Sequence, residues 1–532
     1  MRHRSVLFVL DCFHQHSRLL IQLCCCAALV AVSGCSASST GDDLPGGSVR
    51  ATASPGKPFA ITLRFDSVND CSLQYHWQDF RGEALTEPVP LPLNRNKTIN
   101  SFSGVGGYLG LVLTTDCPDL DDEEGFAGGR REMGFAILPE PRHNLRANGE
   151  RSPFGMVHAR FEDPWLGPWT KTLTWHTTSA KWWKYEMETR AANGFIELPM
   201  INGEFWDSDD SKPVSSAELE ALEARAENFF AAWPQGKYWE LGLEENIKGK
   251  YEQPWYWKNL TAKVKAVRKA AKRKAPETRF TYQIANRDLA DIEAFASSDA
   301  ARLFDILALH PYAWPDFPSP DQWLSDYLRQ VRGILQNHGL DMPIWFTEVG
   351  APHHGNAPGL FFGYPDTQAY VTGLTRYQSV TYMLKMHAIA LHTGVEKIFW
   401  YNYRDRGVGN DYAENFFGMI DYWGYSKPVR VAYARMLSCL NGYKPDGQLA
   451  PGRDVLAYTF RKGEDRVIIA WKRSDGIANI ELTSLGIANS NTLWAGDPMG
   501  NTYETDDGRI SVSAEPVWIA TGSAVNDCRL PE

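Results

Sequence analysis

Basic residues are in deficit. The chain carries 54 Lys and Arg against 64 Asp and Glu, a net charge of −10. Nucleic-acid binders usually present a basic face, so this balance argues against that partner. Cysteine is scarce where a metal would need it. Of the 9 Cys, Cys12, Cys24, Cys25 and Cys26 sit in the N-terminal region and Cys35 closes it. Cys71, Cys117, Cys439 and Cys528 remain. No CxxC pair and no His/Cys cluster occurs, so neither a metal nor a cofactor is expected. Three disulfide pairings of the remaining four are possible. Cys71 with Cys117 would close within one N-terminal unit, and Cys439 with Cys528 would join the two ends of the last.

Apolar runs of membrane-spanning length are also missing. Leu19 to Val32, behind Arg18, has the length of a signal-peptide core and falls short of the ~20 residues of a spanning helix. It ends Val32-Ser-Gly-Cys35, which resembles a bacterial lipobox with Cys35 as the lipidated residue. That resemblance implies an exported protein anchored by lipid to the cell envelope, with the Ser-, Gly- and Asp-rich stretch from Ser36 to Gly47 as a flexible tether.

What is present is aromatic. The 19 Trp and 22 Tyr exceed what a core demands, and flat apolar rings suit the C–H faces of sugars. The length of 532 residues suggests several domains. Residues 1–34 read as the signal peptide and 35–47 as the tether. Residues 48–145 show short alternating strands (60–66, 72–77, 106–114, 133–138) and read as a β-sandwich. From 150 to 440 strands and helices alternate, predicting a parallel α/β architecture. Strands are expected at 155–159, 195–200, 238–244, 280–284, 306–310, 344–348 and 396–401. Helices are expected at 216–233, 257–274, 319–338, 366–393 and 428–440. Residues 441–532 return to short strands, a second sandwich. The α/β class with this order predicts a (β/α)8 barrel flanked by two β-sandwiches.

Two of the strands deliver carboxylates. Ile344-Trp-Phe-Thr-Glu-Val-Gly350 is a short apolar run ending in Glu348 and a loop. Tyr238-Trp-Glu-Leu-Gly-Leu-Glu-Glu-Asn246 ends in Glu244 and Glu245. A βα unit takes roughly 30 residues, and barrel chemistry sits at the carboxyl ends of the strands. Glu244 and Glu348 are 104 residues apart, about three units, so they face one another across the barrel mouth. Paired carboxylates flanking a bond are what glycoside hydrolysis requires.

Four stretches together carry a family resemblance: Trp239–Asn246, His310-Pro-Tyr312, Trp345–Gly350, and Phe399-Trp-Tyr-Asn-Tyr-Arg404 with Asn415–Asp421. The chain resembles the clan A retaining glycoside hydrolases, nearest to the family 39-like group. The resemblance implies Glu348 as nucleophile and Glu244 as acid/base. It also implies Asn246, His310, Tyr312 and Trp400 as substrate-binding residues, with Trp400 flooring the subsite before the scissile bond. The Asn usual before the acid/base is Leu243 here and the usual Pro after it is Glu245, so Glu245 stays open as the acid. A carbohydrate is the expected partner, with the membrane reached through the lipid. The rival expectation is a non-catalytic carbohydrate-binding lipoprotein on a decayed barrel.

Overall fold

The computed structural model describes residues 52–530 apart from 64–70, 92–96, 102–105, 118–128, 161, 173–179, 204–205, 356–359, 363–368, 409–411, 489–491, 504 and 506–507; before residue 52 it describes only 21–22. Cys35 and the tether lie outside the described residues.

Eight parallel strands close into a barrel. They are β1 Phe154–Val157, β2 Trp169–Thr172, β3 Ile196–Ile201, β4 Tyr238–Leu241, β5 Arg279–Ala285, β6 Ile306–His310, β7 Ile344–Val349 and β8 Val395–Trp400. From β2 onward each strand is followed by a helix: α1 Ala180–Ala192, α2 Ser216–Ala232, α3 Tyr256–Lys274, α4 Leu289–Ser297, α5 Leu324–Asn337, α6 Arg376–His392 and α7 Pro428–Leu440. The fold is a (β/α)8 barrel.

Local chemistry accounts for the helices. Ser215 and Glu218 form the capping box that starts α2. In α3, Leu260, Val264, Val267 and Ala271 turn inward at helical spacing. Its basic face meets α2, where Lys269 and Arg273 reach Glu223, and Arg273 and Lys274 reach Glu227.

Several elements differ from the sequence expectation, among them helices α1 and α4, where none was expected. Strand β2 was not foreseen, because Trp-Thr-Lys-Thr is short and three of its four residues are polar. The helix expected at 366–393 begins only at Arg376, where Thr375 and Gln378 form a second capping box. Before it, Leu360–Phe362 and Tyr370–Thr372 pair as an antiparallel hairpin.

The barrel interior is layered. At the amino-terminal end Trp169 meets Tyr238 and Trp345 edge to face, and those two are tilted against each other, with ring centroids 5.0–5.3 Å apart. Gly155 of β1 leaves room for Phe399, since a Cβ there would lie 2.7 Å from its ring. Above the aromatic layer the inward positions turn polar: Lys171, Glu240, Thr281, His310 and Thr347, all without exposed surface. The register of β7 against β8 shifts between Phe346 and Val349, breaking the strand alternation where Glu348 sits.

Sheets flank the barrel on both sides in sequence. The N-terminal five-stranded sheet runs Thr52–Ala53, Arg130–Ile137, Gly107–Thr115, Leu73–Gln78, Val89–Pro90, and Ala60–Leu63 pairs separately with Lys97–Asn100. Cys71 and Cys117 form a disulfide within it. Ser426 donates its backbone N–H to Gly134 of that sheet across 2.9 Å, and a methyl group at Gly134 would overlap the Ser426 carbonyl. After α7, a five-stranded sheet and a two-stranded sheet enclose Val455, Ile468, Ile480 and Ile510. The Cys439–Cys528 disulfide ties α7 to the short closing helix Ala524–Cys528. Trp471 donates its indole N–H to Asp321 before α5, across 2.9 Å, joining this sheet to the barrel.

Candidate active site

Glu244 and Glu348 both reach the barrel mouth. Together with His310 they place one side-chain N or O atom each within 4.8 Å of one another. Glu348 ends β7 with an 8% exposed side chain. Glu244 follows β4 after Gly242, and both have positive φ, +80° for Gly242 and +48° for Glu244. For a side chain with a Cβ that conformation costs on the order of 1–2 kcal/mol. It turns Glu244 into the mouth, where 19% of its side chain stays accessible.

Glu245 points the other way. Its Oε1 accepts from the Trp206 indole at 3.0 Å and its Oε2 from the Tyr256 hydroxyl at 2.8 Å. Burial pushes its carboxyl above the usual range. Of the two adjacent glutamates, only Glu244 joins Glu348.

Each carboxylate at the mouth has specific supports. Lys171 Nζ lies 3.0 Å from Glu348 Oε1, and the Tyr312 hydroxyl donates to Oε2 at 3.2 Å. Burial alone would raise the Glu348 pKa. The Lys171 ammonium, with His310 beside it, outweighs that and holds the carboxyl down at about 2. Lys171 is itself wholly buried, 2.6 Å from Glu240 Oε2. Burial opposes its charge, but the two glutamates raise its pKa overall.

His310 links the two sides. Its Nε2 is 3.4 Å from Lys171 Nζ and 2.9 Å from the Thr347 hydroxyl, and its Nδ1 is 2.8 Å from Glu244 Oε1. An ammonium only donates, so Nε2 accepts and the ring proton sits on Nδ1, which donates to Glu244. Glu244 Oε2 is left for a substrate oxygen. A Glu-His-Glu trio could in principle hold a cation, but the Lys171 ammonium already places positive charge against it.

Three sequence expectations need correction. His310 has no exposed surface, so it holds Glu244 in place and does not itself meet a sugar. Asn246 is tied inward: its amide N–H groups donate to the Ala285 carbonyl and to Asp291, and its Oδ1 accepts from the Ala285 N–H. It fixes the β4 loop against β5 and α4. Trp400 is fully buried against His387 and Tyr382 of α6, so it belongs to the barrel wall. The next residue faces the site instead. The Tyr401 ring meets Tyr312 edge to face, and its hydroxyl donates to Glu414 at 2.6 Å. Burial raises the Glu414 carboxyl, while Tyr401 and Arg406 pull it down.

Lys171, Glu240, Tyr401 and Glu414 were missed in the sequence. A signal existed for the first two. Eight strands need one between residues 159 and 195, and Trp169-Thr-Lys-Thr is the alternating stretch there. Glu240 is a carboxylate inside an apolar strand, which is unusual without a partner.

No family model and no curated protein matches the chain. Solved structures do. A family 39 glycoside hydrolase from the gut symbiont Bacteroides cellulosilyticus WH2 is similar with a TM-score of 0.61 at 15% identity, over 90% of this chain and 100% of that one. A GH30 endoxylanase from Clostridium papyrosolvens C71 gives a TM-score of 0.41 at 13% identity, over 66% of this chain and 89% of that one. The first likeness establishes a shared fold. The second is too low to argue from.

Proposed function

We propose that this protein is a retaining glycoside hydrolase acting on a polysaccharide or its oligosaccharides by double displacement. The observation that carries the proposal is the separation of Glu244 and Glu348, whose carboxylate oxygens approach within 4.8 Å. A retaining pair stands ~5–5.5 Å apart, whereas an inverting pair needs ~6.5–9.5 Å to admit a water.

The roles follow from the surroundings. Glu348, ionised and facing the mouth, attacks the anomeric carbon. Glu244 gives its proton to the departing glycosidic oxygen, with His310 anchoring the oxygen that does not transfer it. The first step neutralises Glu348, which removes a negative charge from beside Glu244. Glu244 can then take a proton from the incoming water. Tyr312 supports Glu348 throughout.

The Val32-Ser-Gly-Cys35 motif supports a further part of this reading: export and lipid attachment at Cys35, which would hold the enzyme in the cell envelope near polymeric substrate.

The test is product release from a panel of polysaccharides and aryl glycosides, with wild type and Glu348→Gln side by side. Release by the wild type alone is expected. Equal release by both would remove Glu348 as nucleophile. Binding without release by either would return the protein to the carbohydrate-binding alternative.

A further inference from the structure

Beneath the two carboxylates of the mouth lies a third. Glu240 faces the barrel interior with no exposed surface, 2.6 Å from Lys171 Nζ. The Thr281 hydroxyl lies 3.4 Å from its Oε1. Lys171, equally buried, also lies 3.0 Å from Glu348 Oε1. At rest the ammonium therefore sits between two anions. One would suffice, and Glu240 is redundant in that state.

Redundancy ends when the reaction starts. In the first displacement Glu348 Oε2 bonds to the anomeric carbon, the glycosidic C–O bond breaks, and the departing oxygen takes the Glu244 proton. Glu348 is now a neutral ester. The Lys171 ammonium keeps its charge and Glu240 is the anion left beside it. A buried charge stripped of its partner is strongly destabilising. In the second displacement water attacks, Glu244 takes its proton, the bond to Oε2 breaks, and the negative charge returns to Glu348 next to Lys171.

We propose that Glu240 is the counter-ion of the covalent intermediate, a positioning residue that keeps Lys171 charged and in place while Glu348 is an ester. This inference rests on the hydrolase reading above.

The test compares Glu240→Gln, Lys171→Met and the double variant on dinitrophenyl β-glycosides of glucose, xylose, galactose and mannose. Dinitrophenolate leaves without a proton from Glu244, so kcat/KM reports the nucleophile side alone. Glu240→Gln is expected to lower kcat/KM on the order of 10²-fold or more. Adding Lys171→Met should restore at least about tenfold of that, because no unpaired ammonium then arises. A merely structural role predicts the opposite, a double variant no better than Glu240→Gln.

Melting curves show whether each variant folds. Should Glu240→Gln alone be unfolded, the comparison of Lys171→Met with the double variant decides. Losing Glu240 is expected not to lower kcat/KM there, and a further fall overturns the proposal. Wild-type rates in Glu240→Gln, or a double variant no faster than it, overturn it as well. If Glu348→Gln abolishes release but Glu240→Gln does not slow it, this inference fails alone. If the wild type releases nothing from any glycoside, the hydrolase reading fails and takes this inference with it.

Discussion

Trp206 donates its indole N–H to Glu245 across 3.0 Å, and with Tyr256 it holds that carboxylate away from the mouth. Two neighbouring glutamates thus have different duties. Glu244→Gln is expected to lower turnover of substrates with poor leaving groups by about 10²–10⁴-fold. Glu245→Gln should leave turnover within about tenfold and lower the melting temperature, since a buried hydrogen-bond network worth about 1–3 kcal/mol is disturbed. Steady-state kinetics and thermal melts on both variants check this.

Glu348 faces Lys171, His310 and Tyr312 directly. Its carboxyl, ordinarily near 4.5, is held at about 2. A depressed carboxylate contributes stability above its unfolded value and loses it as pH falls through the folded one. The native protein should therefore begin to lose this contribution below about pH 4.5 and lose it fully below about 2. Lys171→Met removes the main opposing charge. The acid limb of kcat/KM should then move to higher pH. An unmoved limb would mean that Lys171 does not set the ionisation of the nucleophile.

Tyr312 donates to the Glu348 oxygen that Lys171 leaves alone. Tyr312→Phe keeps the ring among Trp314, Tyr401 and Phe417 and deletes only that bond. A fall of about 10- to 10²-fold in kcat/KM is expected, from a hydrogen bond to a charged group worth about 1.5–3 kcal/mol. The melting temperature should hardly change.

Trp400 gives the opposite pattern. Its ring is buried against α6, so Trp400→Ala should destabilise the fold by about 3–5 kcal/mol through the cavity it leaves. Substrate affinity of the fraction that remains folded should be unaltered. A rise in KM without a change in melting would instead place the ring in a sugar subsite.

The contrast between Trp400 and Tyr401 shows where sequence reading succeeds and fails. The order of strands β3 to β8 was legible because each is an apolar run of strand length bounded by turns. The strand ends carrying Glu244 and Glu348 were legible for the same reason. Which neighbour faces inward was not. That depends on register, and a shift of one residue moves every side chain to the other face. The pairing irregularity between β7 and β8 has no signature in residue types. Lys171 escaped because a lysine between threonines reads as solvated until its partners are known, and those partners lie 69 and 177 residues downstream. Asn246 matched a motif by position while its amide was engaged by the next strand.

The seam at Gly134 and Ser426 bears on ancestry. Two backbones that meet with no room for a methyl group must change together or not at all. A lineage that exchanged its N-terminal sheet for another, or inherited this sheet on a different barrel, would have to bring the glycine and the turn around Ser426 as one unit. Drift at either position is open only to glycine on the sheet side. The two halves of this joint should therefore descend as a single block, and recombination between relatives should spare it.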